Sequence, residues 1–353
     1  MVRMDVTNCC NMRCRMCPYS LIEKKGHATD LMTIDLFDKI AEQVFPYAYH
    51  VALSCAYEPL LHPELAEILE IAWRQKVPEW GLVTNASLLD KCTAEAMIHY
   101  EMTVLSVSID GTRPETYHDI RGIDALDRVL DNVRMLQELK RQAGKPLPHL
   151  FTNFVLMRRN LDEVTPFLRL SRELGAEDVT FVHVMPRSRE NPESLIHEPD
   201  LYAMIYEEAR RLADQSGMRV LLPAPFTEEE LAGAGQNKRE RRLQHTRRSD
   251  LLAAGAKTTS ERVEAVGDDI YCASPWMMLF ISPRGDVHPC SHRQNDPPLG
   301  NLDRTPFEDI WNGPAYLELR RRLFYRDLEG LCRTCEAATP NSEPMVHRPI
   351  RVL

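Results

Sequence analysis

Apolar and polar positions follow two different periods along the first two thirds of this chain, and the two periods take turns. Residues 2 to 7, Val-Arg-Met-Asp-Val-Thr, alternate with period two, as a strand with one buried face does. The stretch Ile34 to Val44 instead places apolar residues at 34, 37, 40, 41 and 44, the spacing of one helix face. Strand-like segments recur at 49–54, 79–84, 104–109, 151–156 and 179–184, with helical candidates at 64–75, 89–100, 123–141 and 161–174 between them. Strand alternating with helix predicts a parallel sheet with right-handed crossovers. Six such units are fewer than the eight that close a barrel, so the expected fold class is α/β, a partial (βα)6 TIM-like barrel.

A helix over 199–216 and a short strand over 219–223 complete this region, and the pattern then changes. Between 227 and 269, Lys238-Arg239-Glu240-Arg241-Arg242 and Arg247-Arg248 stand among Gly, Ala and Ser, the composition of a solvated connector or an active-site lid. Next, 277–282 and 287–289 flank Pro283-Arg284-Gly285-Asp286, which predicts a β-hairpin, and 305–324 reads as one amphipathic helix. The expected organisation is a barrel over 1–222, a charged connector or lid over 223–269, a small α+β domain over 270–340 and a tail over 341–353.

Charge and composition exclude several functions. Lys and Arg number 43 against 52 Asp and Glu, a balance of −9 over 353 residues, so no global footprint exists for nucleic acid or an anionic membrane. No apolar run approaches the roughly 20 residues of a membrane span, and the first residues lack a signal peptide's pattern. A cytoplasmic protein with no membrane or nucleic-acid partner is expected. Ten cysteines in a reducing compartment then point to metal ligation rather than disulfides.

Seven of the ten are clustered: Cys10-x3-Cys14-x2-Cys17, and Cys272, Cys290, Cys332 and Cys335; Cys9, Cys55 and Cys92 lie outside. Three thiolates so close, with no fourth ligand beside them, suit an iron–sulfur cube with one iron left open. The alternative is a zinc knuckle borrowing a distant His or Cys9. The C-terminal four suit a fully ligated cluster or a structural zinc. In parallel sheets chemistry collects at the carboxyl ends of the strands. There this chain places the first cysteine loop, Cys55-Ala56-Tyr57-Glu58-Pro59, Thr84-Asn85, Ser108-Ile109-Asp110-Gly111, Asn153 and His183.

Together these residues resemble the radical S-adenosylmethionine (SAM) superfamily. The resemblance rests on Cys10-x3-Cys14-x2-Cys17 directly after strand one, and covers roughly residues 2 to 222. The C-terminal segment is similar to the SPASM/Twitch extension through Cys272, Gly285-x4-Cys290 and Cys332-x2-Cys335, with Gly300-Asn301-Leu302 and Ile310-Trp311. The resemblance implies two [4Fe–4S] clusters and SAM. Cys10, Cys14 and Cys17 would hold the first cluster, with SAM on its open iron; Cys272, Cys290, Cys332 and Cys335 would hold an auxiliary one. Reductive cleavage of SAM, driven by a flavodoxin or ferredoxin-type donor, would give a 5′-deoxyadenosyl radical that removes hydrogen from a C–H bond.

The family's Gly-Gly-Glu-Pro motif stands here as Ala56-Tyr57-Glu58-Pro59, both glycines replaced, and Ala56, Tyr57 and Glu58 are implied SAM contacts. Met16 occupies the position where relatives carry an aromatic, and would pack on adenine. Ser108, Asp110, Arg121 and Asn153 are implied contacts of the SAM carboxylate and ribose, while Val182 and His183 would lie beneath adenine. The plainer readings are a turn residue for Asp110, a surface charge for Arg121 and a satisfied strand-end histidine for His183. Cys55, His183 and Tyr57 are the candidate catalytic residues, Cys55 being otherwise a small buried hydrophobe. The expected activity is that of an oxidoreductase, a net oxidation or dehydrogenation of a small-molecule or peptide substrate in which the auxiliary cluster takes or relays an electron. Its layout is similar to that of aminocyclitol-oxidising members. The alternatives are crosslinking or epimerisation of a ribosomal peptide, for which no leader-binding segment is expected before strand one, and a non-enzymatic iron–sulfur or zinc protein.

Overall fold

The computed structural model describes residues 1–23, 29–185, 189–233, 272–324, 330–333 and 335. Residues Met1–Gly235 with Ile281–Gly285 make one unit, and Gln236–Phe280 with Asp286–Leu353 another. Most of the connector expected over 223–269, and the tail at 341–353, lie outside the described residues.

In the first unit seven strands, β1 Val2–Met4, β2 His50–Ala52, β3 Glu79–Thr84, β4 Val104–Ser108, β5 His149–Leu156, β6 Asp178–His183 and β7 Arg219–Leu221, pair in parallel in chain order. The helices are α1 Pro18–Glu23, α2 Ile34–Val44, α3 Leu65–Arg74, α4 Lys91–His99, α5 Pro114–Arg121, α6 Leu126–Ala143, α7 Val164–Glu173, α8 Pro199–Ser216 and α9 Glu228–Gly233. The expected α/β fold with a partial-barrel sheet is what forms. Starts are set by side-chain caps: Thr33 Oγ1 accepts the Leu36 amide at 3.3 Å before α2, and Asp90 Oδ1 the Thr93 amide at 2.8 Å before α4. The sequence pattern does not anticipate α5. Pro114 opens it and Gly122, at φ +79°, closes it by donating to the His118 carbonyl at 2.8 Å.

Strand register sorts residues onto two faces. Paired residues of neighbouring strands point the same way, so Val51, Leu82, Leu105, Val107, Leu150, Phe154, Val179 and Phe181 share one face, and all are buried. This face meets the helices: the Phe167 ring of α7 lies 4.8 Å from Phe154 and 5.6 Å from Phe181. The opposite face carries Ala52, Ser106, Ser108, Asn153, Val155, Thr180 and Val182, mostly half-buried, with Val182 exposed. A closed barrel fills its interior with layers of branched side chains, whereas here that surface is small and largely polar.

The second unit contains α10 Ser274–Met277, most of β8 Leu279–Ile281, β9 Asp286–His288, β10 Gly300–Asn301, α11 Phe307–Trp311 and α12 Pro314–Phe324. β9 and β10 pair antiparallel, Val287 opposite Gly300. The helix expected over 305–324 is two helices, because Pro314 has no amide to continue α11 and instead starts α12. A Cβ on Gly300 would stand 2.7 Å from the Ile310 side chain, so β10 and α11 approach closely only with glycine there. Among the described residues no helix is long and apolar enough to cross a membrane.

Candidate active site

The loop carrying Cys10, Cys14 and Cys17 leaves the end of β1 and is tied down on three sides. The Glu58 amide donates to the Cys9 carbonyl at 3.0 Å. Asn85 Nδ2 donates to Asn11 Oδ1 at 2.8 Å and Asn11 Nδ2 to Ser87 Oγ at 2.9 Å, fixing the loop to the turn after β3. The amides of Arg13 and Arg15 donate to the Arg121 and Ile120 carbonyls at 3.4 and 2.8 Å, fixing it to the end of α5. Cys14 is buried, Cys10 and Cys17 are half-buried, and none of the three is in a disulfide.

The Cys55–Pro59 segment is held from below by Asp5, a residue the sequence pattern treats only as a polar strand position. Its Oδ1 accepts the amides of Cys55 at 2.7 Å and Ala56 at 3.0 Å. Burial pushes the Asp5 carboxyl up to about 6, against the lowering by the Ala56, Cys55 and Tyr57 amides. A ligand ammonium only donates, so any contact from this backbone to one runs through carbonyls. Glu58 faces inward: Oε1 accepts from Thr84 Oγ1 at 2.6 Å and from the Leu60 amide at 3.2 Å, and Oε2 from the Asn85 amide at 2.8 Å. Its carboxylate thus braces the loop against β3. The Tyr57 ring lies 5.4 Å from that of Tyr19, whose hydroxyl is pushed up by burial and by the nearby Cys55, Asp5 and Cys17.

Asp110 and Arg121 form a buried ion pair, Arg121 Nη2 standing 2.6 Å from Asp110 Oδ2. Asp110 is therefore more than a turn residue, and Arg121 is no surface charge: they are 1% and 7% exposed. Asp110 Oδ1 also accepts the Val155 amide at 2.7 Å, and the Asp110 carbonyl accepts from Asn160 Nδ2 at 2.9 Å. The other arm of the guanidinium, Arg121 Nη1, lies 3.7 Å from Cys14 Sγ. Burial alone would lower the Arg121 pKa, but the Asp110 and Cys14 charges more than offset it and the group stays cationic.

Ser108 and Asn153 are register partners on the polar face, where Asn153 Nδ2 donates to Ser106 Oγ at 2.5 Å. Met16 packs with Val155 against Ile120, Met157 and Val184, and Val182 stands on the same face as Val155, its register partner. His183 goes elsewhere. It shares the parity of Phe181, on the helix side, and packs 5.3 Å from Tyr202 of α8 and 4.9 Å from Phe226. Met16, Ser108, Asp110, Arg121, Asn153 and Val182 thus surround the cysteine loop and the polar face, whereas His183 belongs to an aromatic cluster on the other side of the sheet.

In the second unit Cys272, Cys290, Cys332 and Cys335 are half-buried, and none of them is in a disulfide. Burial pushes the Cys290 thiol up to about 11; the amides of Arg293 and His292 oppose this, while Cys272 and Cys335 add to it. Burial raises Cys332 too, with Cys272 and Cys335 again contributing and a hydrogen bond from the Arg293 side chain opposing. Cys272 and Cys335 thus each act on both Cys290 and Cys332.

Comparison with known proteins finds two domains, each spanning one of the thiol sets. A model described as the radical SAM superfamily matches residues 4–171, and one described as an iron–sulfur cluster-binding domain, SPASM, matches 272–336. The chain carries a radical SAM domain. Its SPASM domain lies C-terminal to the SAM domain, and chains of this composition use SAM and two [4Fe–4S] clusters. The AdoMet-dependent heme synthase of Methanosarcina barkeri is 25% identical over 344 residues, 95% of this chain and 88% of that protein. The GTP 3′,8-cyclase of Geobacter sulfurreducens is 33% identical over 193 residues, 54% of this chain and only 56% of that enzyme. Among solved structures, Streptococcus suis SuiB bound to its precursor peptide SuiA superposes with a TM-score of 0.63 at 14% identity, covering 96% of this chain and 71% of SuiB, which is a likeness of fold.

The residues of this chain fit the groups that radical SAM and SPASM domains carry. Two buried polar atoms beside the cysteine loop, Asp5 Oδ2 and Arg121 Nε, have no hydrogen-bond partner, as expected where a polar ligand belongs. Among the described residues no three His, Cys, Asp or Glu side chains converge on a point fit for a single ion. Thiolates on separate irons of one cube have no need to converge in that way.

Proposed function

We propose that this protein is a radical SAM oxidoreductase acting on a small-molecule substrate in cofactor or natural-product biosynthesis. The observation that carries the proposal is the cysteine loop pinned beside the Asp5-anchored Cys55–Pro59 segment, both opening on a polar sheet face. Cys10, Cys14 and Cys17 hold the first cluster. SAM bound there supplies, on reduction, a 5′-deoxyadenosyl radical able to take hydrogen from an unactivated C–H bond. The 56–58 backbone would hold the SAM ammonium, Ser108 and Asn153 its ribose, and Met16 and Val182 its adenine. Glu58 and Asp110 position these elements.

After hydrogen abstraction, loss of a proton from the substrate leaves one electron to be removed. Cys272, Cys290, Cys332 and Cys335 would hold the cluster that accepts it, since four thiolates fill a cube and leave no iron open for substrate. A relative spanning nearly the whole chain and named a heme synthase supports a biosynthetic role on a small molecule. A flavodoxin or ferredoxin-type protein would supply electrons in the cytoplasm.

Anaerobic reconstitution should give about eight irons per chain, and reduction in the presence of SAM should release 5′-deoxyadenosine. Reduced, iron-loaded protein that never cleaves SAM would overturn the enzyme reading and leave an electron carrier; a zinc-loaded chain would overturn the cluster assignment. A peptide rather than a small molecule as the oxidised product would redirect the substrate class.

A further inference from the structure

The turn Arg158–Glu163 that follows β5 ends on a carboxylate with no part in the chemistry proposed above, and the Glu163 side chain is only 1% exposed. Its polar contacts gather at the start of α5. Oε2 accepts the Thr112 amide at 2.5 Å, the Thr112 hydroxyl at 2.7 Å and the Arg113 amide at 3.0 Å, and Oε1 stands 2.8 Å from Arg113 Nη2. The first amides of a helix have no partner within it, and negative charge is favoured beside them. A carboxylate brought from another part of the chain meets both demands here.

The far end of α5 is taken up in a matching way. Its last carbonyls also lack partners within the helix, and those of Ile120 and Arg121 accept the amides of Arg15 and Arg13 at 2.8 and 3.4 Å. These two amides bracket Cys14, the buried cysteine of the first set. The loop comes so close that a Cβ on Gly122 would stand 3.2 Å from the Arg13 carbonyl oxygen. Of its eight residues α5 buries Tyr117, Ile120 and Arg121, so its place depends heavily on what holds its two ends. Resting on the cluster assignment proposed above, we infer that Glu163 is a positioning residue for the first cluster: it fixes the start of α5, and α5 carries that placement to Cys14. The helix is a stiff rod about 12 Å long, so a displacement at one end reaches the other. Glutamine at this position keeps the shape but loses the charge, and one of its oxygens becomes an NH2 facing donors. The amides on either side of Cys14 then lose partners held in fixed places.

The test is release of iron to bathophenanthroline disulfonate from the full chain, reconstituted anaerobically, with each cluster followed by electron paramagnetic resonance of reduced samples. The signal missing from Cys14→Ala marks the first cluster. Glu163→Gln should lose that signal at least fivefold faster than wild type, while the other signal decays at the wild-type rate. His118→Gly removes an exposed side chain and softens α5 between its two anchors, and should do the same to a smaller degree; if Glu163→Gln does not fold, this variant carries the test. Phe167→Leu, in the packing of α7 against the sheet, is the control for lowered stability alone and should leave the first cluster's release rate unchanged. Wild-type release from His118→Gly would overturn the inference, because no effect would then travel through α5. Wild-type release from Glu163→Gln, equal acceleration at both clusters, or a Phe167→Leu variant that loses the first cluster as fast as Glu163→Gln would overturn it too. Wild type that gives both signals but no 5′-deoxyadenosine from SAM would instead defeat the proposed function, and the release rates would still decide the role of Glu163.

Discussion

The Ala56 amide donates to Asp5 Oδ1 at 3.0 Å across 51 positions of sequence, so the segment that replaces the family's Gly-Gly-Glu-Pro takes its shape from a carboxylate at the end of the first strand. Burial raises the Asp5 carboxyl from 3.8 to about 6. A carboxyl that binds its proton more tightly folded than unfolded contributes stability fully present at low pH, and lost as pH rises through about 6. The loss is about 2 kcal/mol between pH 4 and pH 7. Asp5→Asn keeps an acceptor for both amides and cannot ionise, so urea unfolding between pH 4 and 8 should show a flatter profile with a gain above pH 6. A variant whose stability falls with pH as wild type does would remove Asp5 from this role.

Glu58 accepts three hydrogen bonds with two oxygens. In Glu58→Gln one of those oxygens becomes an NH2, which must face either the Asn85 amide or the donors on the other side. The unmade bonds are expected to cost about 1–3 kcal/mol, lowering the melting temperature by several degrees. Weaker SAM binding should accompany this, because the 56–58 backbone loses its brace on β3. Thermal melting and a SAM titration check both, and an unchanged melting curve would count against the brace.

His183 stacks among Tyr202 and Phe226, so His183→Phe should retain SAM cleavage within about twofold, in the range of volume-conserving core exchanges. Val182→Asp, on the opposite face and one residue away, places a charge against the expected adenine position and should reduce cleavage by tenfold or more. Steady-state release of 5′-deoxyadenosine measures each; a His183→Phe enzyme that fails to cleave SAM would return His183 to the active site.

Replacing Cys332 and Cys335 by Ala should lower the iron content from about eight to about four per chain. Cleavage of SAM should continue while oxidised substrate fails to accumulate, since the hydrogen is still removed and the last electron has no acceptor. Iron analysis with product chromatography reads this out, and full product formation by the double variant would dismiss the auxiliary cluster as an electron acceptor.

The strands, and the placement of polar residues at their ends, were legible because period-two runs and clustered cysteines are local signals. Helix α5 was not, since Pro-Glu-Thr-Tyr-His-Asp-Ile-Arg offers few apolar positions and its confinement comes from Tyr117, Ile120 and the buried Arg121. Arg121 read as a surface charge for the same reason: its partners, Asp110 and Cys14, meet it only in three dimensions. Asp5 was visible as a polar strand position, but the amides it accepts are supplied by a loop some fifty residues away. His183 is different, because its parity with Val179 and Phe181 in a buried alternation was present in the sequence and pointed to the helix side.

That same alternation separates two demands along each strand. One set of residues, the Val, Leu and Phe side chains packed on the helices, carries the cost of holding the sheet together. The intervening set, with Ser106, Ser108, Asn153 and Thr180, bears little of that burden. Substrate preference could therefore drift by exchange at alternate positions while the fold's stability stays with their neighbours, and an engineer seeking a new substrate would edit Thr180 and Val182 of β6 before touching Val179 or Phe181.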